Sequence, residues 1–234
     1  MRLYKMNIYI NIKFIFICFG IITLNIFLDS FIKYTVNKND IYDLQFLYSN
    51  LNLYRQWIYI SVCTVITFKN LSFTNNYLYT IRLGTKNKIW NLIIKYIIID
   101  NFIVSLYLVT VSYIVALVFT NQNYMKFNET LVFLVGLILL YTVGLSMFNI
   151  MIFIIKIITG SENIAYLAII AMLVPETLKA ENSLVLYDIS FNMDYLKNTI
   201  LILFKIIKLG GITILLYYIG RFIYGKEDIY KLKK

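Results

Sequence analysis

Among its 234 residues the chain has no histidine, one proline (Pro175) and two cysteines (Cys18 and Cys63). Losing histidine removes the commonest general base near neutral pH and the commonest metal ligand. It also excludes the zinc-protease helix motif, which needs two histidines one turn apart. Two cysteines, each inside an apolar run, cannot form a disulfide scaffold and read as small buried side chains. The chain has a single Gly-Lys pair, Gly225-Lys226, followed by Glu227 rather than by Ser or Thr, so there is no phosphate-binding P-loop. Intramembrane aspartyl chemistry needs two carboxylates inside apolar runs. The candidates, Asp29 and Asp100, are expected at the edges of theirs. Ser105, Ser112 and Ser146 have no base near them in sequence. The residues therefore argue against an enzyme, a metal site or a bound cofactor.

Charge is scarce as well. Only 15% of residues are charged, against about 25% in ordinary soluble domains. In its place the chain is 60% hydrophobic and 17% aromatic, with a mean hydropathy of +0.74. A soluble domain of this length has too little interior to hide that much apolar surface, and the same content excludes disorder. The expectation is an all-α, polytopic membrane protein, with residues 1–234 forming one transmembrane domain.

A membrane span takes about 20 mostly apolar residues. Six candidates run over about Ile8–Leu28, Leu53–Phe68, Ile89–Phe119, Thr130–Ile155, Asn163–Val174 and Thr199–Tyr224. The second is short, and the fifth is too short to cross comfortably alone. The net charge of +10 reflects topology rather than nucleic-acid binding, because the cations cluster in short connections. Basic residues dominate the N-terminus (Arg2, Lys5, Lys13), the segment between spans two and three, Lys156 after span four, and the C-terminus. The alternate connections mix cations with Asp29, Asp40, Asp43, Glu129, Glu176, Glu181, Asp188 and Asp194. This alternation predicts six spans with both termini cytoplasmic. The first apolar stretch exceeds a typical signal-peptide core and has no small-residue cleavage site after it, so it reads as a span.

Lys205 and Lys208 fall early in the sixth apolar run. The simpler expectation is that they snorkel to the outer interface, with the crossing beginning near Leu209. The alternative is that they line a polar cavity or contact anionic headgroups. An interfacial helix over about Asp194–Lys208, turning into the membrane at Gly210-Gly211, is a related possibility. Asn25, Thr64, Thr67, Ser105, Thr110, Ser112, Ser146 and Asn149 are polar residues within spans. They read as interhelical hydrogen-bonding groups or as a path lining. Gly136 and Gly144 would allow close helix approach.

The segment Lys69–Lys95 reads KNLSFTNNYLYTIRLGTKNKIWNLIIK. Thr74 or Asn75 can cap a short helix carrying Tyr77, Leu78, Tyr79, Ile81, Arg82 and Leu83. Gly84 suits its stop, and Thr85 can cap the next helix. Trp90 is expected at the membrane interface, its ring in apolar surroundings and its N–H in water. Such a helix offers aromatic and Arg anchors of the kind enriched in binding hot spots.

The run Thr80-Ile81-Arg82-Leu83-Gly84-Thr85-Lys86-Asn87-Lys88-Ile89-Trp90, leading into a long third span, resembles the coupling-helix region of type-2 ABC exporter permeases. It is most similar to small permeases of antimicrobial-peptide export or immunity systems. The resemblance implies six spans, a coupling helix after span two, and a broken span five followed by a re-entrant extracellular segment; here Pro175 and Val174–Asn198 would fill that place. It further implies a separate P-loop ATPase subunit, a second permease copy or paralogue, and an amphipathic substrate such as a peptide. Membrane lipids would surround the assembly, nucleic acid would have no part, and the location would be the cell membrane. Tyr79, Arg82 and Leu83 would dock on the ATPase, with Lys86 and Lys88 at its rim or on lipid headgroups. Two other readings stand beside it. One is a stand-alone immunity or toxin-binding membrane protein without ATP coupling. The other is an importer subunit or another small transporter, which would need polar residues converging near the bilayer midplane.

Overall fold

The computed structural model describes residues 2–36, 53–71, 85–119, 127–178, 186–189 and 200–226. These residues are all-helical, with no strand among them. The elements are α1 (Arg2–Val36), α2 (Leu53–Asn70), α3 (Lys86–Phe119), α4 (Phe127–Thr159), α5 (Glu162–Leu178), the single turn α6 (Leu186–Ile189) and α7 (Ile200–Lys226).

Four helices are long and apolar enough to cross a membrane, over Phe14–Ile32, Lys86–Val118, Leu131–Thr159 and Ile200–Lys226. The second and fifth expected spans are helical too, but their apolar stretches are the shorter Ile58–Asn70 and Glu162–Val174. The chain thus has the build of a polytopic helical membrane protein. Large apolar side chains such as Phe16, Leu24, Phe204 and Phe222 stand exposed on α1 and α7, where lipid rather than water would meet them.

Contacts fix the directions. Gln56 meets Tyr141, Thr64 meets Asn149 and Phe68 meets Phe153, so α2 and α4 run parallel. Gly136 lies against Ile202 and Ile154 against Gly220, so α4 and α7 run parallel in constant register. Helix α3 opposes them: Trp90 packs on Phe153 while Asn101 reaches Ser146. Helix α4 is the hub, with 56% of its apolar stretch buried against 11% for α7.

Helices α4 and α5 reverse direction over two residues. Gly160 takes φ +68°, a left-handed conformation that glycine adopts without a Cβ clash. Ser161 then opens α5, its carbonyl accepting from the Ala165 N–H and its hydroxyl facing the Ile164 N–H at 3.5 Å. The reversal sets Lys156 against Glu162 at 2.5 Å.

Three sequence expectations are corrected here. Pro175 does not break α5, which continues to Leu178. Helix α7 runs unbroken through Gly210-Gly211, because neighbouring Ile and Leu residues keep a continuous helical apolar surface there. Asp100 is not at a span edge: it lies fourteen positions into α3, near Asn101 and Ser146, well inside the bundle.

Candidate functional site

Of the five residues predicted to contact an ATPase, Tyr79, Arg82 and Leu83 lie outside the described residues. Lys86 and Lys88 form the first turn of α3. The Thr85 carbonyl accepts from the N–H groups of Lys88 (2.9 Å) and Ile89 (3.2 Å), so Thr85 opens this helix as expected. Lys86 Nζ donates to the Gly225 carbonyl at 3.1 Å, near the end of α7, where a cation complements the helix dipole. Lys88 is exposed. Two further bonds tie α3 to α7: Arg221 Nε donates to Asn87 Oδ1 at 3.2 Å, and the Tyr217 hydroxyl meets Asn91 Oδ1 at 2.7 Å.

Trp90 does not put its indole N–H in water. It is fully buried beside Phe153, Tyr217 and Tyr224, and its indole N–H has no partner. Gly220 makes the room: a Cβ there would come within 2.3 Å of the indole ring. The burial follows from packing three helices, and a single-helix reading of Trp90 could not see the notch opposite it.

The same end of the bundle gathers Lys69, Lys86, Lys156, Arg221 and Lys226. Lys69 lies over the Phe14 ring, Lys156 over Phe68 and Phe153, and Lys226 over Phe222, at 4.1 to 5.9 Å from the ring centroids.

Further in, a neutral polar cluster joins α2, α3 and α4. Asn149 is its centre. Its Oδ1 accepts from Thr64 at 2.8 Å, and its Nδ2 faces Asn101 Oδ1 at 2.7 Å and Thr67 Oγ1 at 3.1 Å. Asn101 Oδ1 also accepts from the Cys63 thiol at 2.8 Å, and Asn101 Nδ2 donates to Ser146 at 3.0 Å. All six residues are buried. Beside them Asn70 Nδ2 donates to Asp100 Oδ1 at 3.0 Å, leaving Asp100 Oδ2 buried without a hydrogen bond. Ser105 and Ser112 continue the same face of α3, at four and eleven positions beyond Asn101, and their buried hydroxyls have no partner. Cys18 and Cys63 are both buried and free, but Cys63 acts as a donor rather than as a plain apolar filler.

The expected interhelical bonds of Thr64, Thr67, Ser146 and Asn149 are therefore present. Asn101 and Cys63 were missed. The available signal was spacing: Thr64/Thr67 and Ser146/Asn149 each repeat at i, i+3, which puts each pair on one helix face.

The second cluster is ionic. Asp188 on α6 is buried, and its two carboxylate oxygens are taken by Lys205 and Lys208 of α7. Next to it Ile189 fills the space over Gly144, where a Cβ would meet its side chain at 2.6 Å. Gly144 thus does admit a close approach, although of a side chain rather than of another helix. Gly136 leaves only ordinary van der Waals room against Ile202. Both lysines turn toward the Asp188 carboxylate, Lys205 mostly covered and Lys208 half exposed. The register of α4 on α7 sets Lys208 level with Thr142, about 12 Å below the start of α7.

No metal-ligating cluster of three or more His, Cys, Asp or Glu occurs among the described residues. Comparison of the chain with protein-family models, with curated proteins and with solved structures finds no match.

Proposed function

We propose that this chain is the membrane-embedded permease subunit of an exporter, with six spans and both termini in the cytoplasm of a cell-membrane complex. A separate P-loop ATPase would drive it, and a second copy or a paralogue would complete the pathway for an amphipathic substrate such as an antimicrobial peptide. The observation that carries the reading is the placement of the turn α6 inside the bundle, where Asp188 and Ile189 are buried. Helix α5 runs back along α4 from the Gly160 turn, and its Met172 and Leu173 line one groove with Met147, Phe148 and Met151 of α4. Helix α6 holds Ile189 over Gly144, part-way along α4. A single turn between α5 and α7 that is held within the bundle is what a re-entrant segment would supply.

The basic end supports the sidedness, since Lys and Arg concentrate on the cytoplasmic side of membrane proteins. There the ordered start of α3 is bonded to the end of α7 through Lys86, Asn87 and Asn91. A force applied to the Tyr79–Leu83 segment would be passed to α3 and, through it, to α7. Tyr79, Arg82 and Leu83 would provide the docking contacts, with Lys86 and Lys88 at the rim.

The test is affinity purification of the tagged chain expressed with its neighbouring genes. Co-purification of a P-loop ATPase in stoichiometric amount, abolished by Arg82→Glu while membrane insertion persists, is the expected result. A chain that purifies alone, without nucleotide hydrolysis, overturns the reading in favour of a stand-alone immunity or toxin-binding protein. One observation favours a different transporter. The cluster around Asn149, with Asp100 beside it, puts polar groups deep in the bundle, as a small transporter with a midplane site would need.

A further inference from the structure

Helices α5 and α7 both pack on α4 and leave between them a groove lined only by apolar side chains, among them Met147, Met151 and Met172, with Ile212 and Leu216 on the α7 wall. The groove opens sideways. Met172 is 45% exposed, and α7 is the least buried of the long helices. In a bilayer such a lateral opening would face lipid. Methionine adapts its shape readily, which suits a surface that receives a flexible chain.

The α7 wall continues upward to a cation. Lys208, Ile212 and Leu216 are spaced at i, i+4 and i+8 and form one stripe, so Lys208 stands one turn above the groove. Its side chain is 54% exposed, while the Asp188 side chain that it meets is 3% exposed and that of Lys205 is 25% exposed. Of the three charges, Lys208 is the one a ligand entering along the groove can reach. An ammonium in an apolar span needs an anionic partner, and Asp188 supplies one from the protein itself.

We propose that Lys208 and the groove below it bind an anionic phospholipid, with the phosphate on Lys208 in place of the Asp188 carboxylate and one acyl chain between α5 and α7. Asp188 is then an internal stand-in for the lipid headgroup, and the lipid enters by exchange: Lys208 leaves Asp188 for the phosphate while Lys205 keeps the carboxylate neutralised. A zwitterionic headgroup fits poorly, because its own cation would be brought beside two lysines. The inference needs no ATPase and is independent of the exporter reading, so either can fail without the other.

The experiment is native mass spectrometry of the purified full chain, offered phosphatidylglycerol or phosphatidylcholine with identical acyl chains. Wild type should retain phosphatidylglycerol about tenfold better, the effect of one charge-assisted contact. Lys208→Gln, which leaves the Lys205–Asp188 pair intact, should bring the two lipids to parity, and Lys208→Arg should keep the preference. Leu216→Trp, which fills the groove, should lower retention of both lipids. Asp188→Asn should raise phosphatidylglycerol retention, whereas a merely structural Asp188 would lower it. Equal retention of the two lipids by wild type overturns the proposal. So does a preference that survives Lys208→Gln, which would assign the headgroup to lysines elsewhere, or retention unaffected by Leu216→Trp.

Discussion

The two polar regions inside this bundle solve the same problem in opposite ways. The cluster around Asn149 is neutral, is built from three long helices and satisfies its members among themselves. The cluster around Asp188 is ionic, draws its carboxylate from a single helical turn, and leaves one of its lysines half in contact with the surroundings. The first is committed to its partners, because any one of them, removed, strands others in a medium without water. The second has a reachable member that can trade one anion for another. Rigid packing of α2, α3 and α4 and an exchangeable contact on α7 therefore come from different chemistry rather than from different amounts of burial.

The comparison can be broken most sharply at Asp188. Asp188→Ala leaves two lysines facing each other inside the bundle and should destabilise the protein by about 3–5 kcal/mol, read from thermal unfolding in detergent. Adding Lys205→Met and Lys208→Met should recover much of that loss, since an apolar replacement of a buried ionic group is often near neutral. If the triple variant is no more stable than Asp188→Ala, the cluster is held by something other than its charges. Asn149→Leu should cost about 3 kcal/mol by the same measurement, because Thr64, Thr67 and Asn101 lose a partner together. A loss below about 1 kcal/mol would mean that the cluster re-pairs without its centre and is as exchangeable as the ionic one.

Gly220→Ala probes the packing at the basic end of the bundle, outside both clusters. The added methyl meets the Trp90 ring and should cost about 1–3 kcal/mol, and Trp90→Leu in the same chain should relieve it. A simple sum of the two single effects would place the clash elsewhere. The smallest expected effect is at the hinge. Gly160→Ala forces a side chain into a left-handed conformation and should cost about 1 kcal/mol, visible as earlier proteolysis at the α4–α5 turn.

Much of the fold was legible because length and apolarity are local properties. The long runs of α3, α4 and α7 appear within a few residues of where hydropathy puts them, and Thr85 stands at the start of α3, where its carbonyl takes the first helical bonds. Pro175 misled because a proline near the end of a helix removes one N–H without ending the turn that contains it. The candidate sites were less legible, since they are made between helices. Asp188 reads as one of several acids in a polar connection, and nothing near it in sequence announces that Lys205 and Lys208 will reach it. Trp90 carries the signature of an interfacial residue, and only the missing side chain at Gly220, far along the chain, turns it inward. Thr64, Thr67, Ser146 and Asn149 were visible as polar residues in spans, but their convergence on Asn101 depends on the relative rotation of three helices.

The ion pairs at Asp188 also impose an order on how the molecule is made. Lys205 and Lys208 follow Asp188 in the chain by 17 and 20 residues. As synthesis proceeds, α4 and α5 can form a hairpin around Gly160, but the two lysines that hold the Asp188 carboxylate arrive only with α7. The turn at Leu186–Ile189 is therefore a late arrival in assembly. Its seat against Gly144 is prepared early by α4, and it closes only when the last helix of the described chain is delivered alongside.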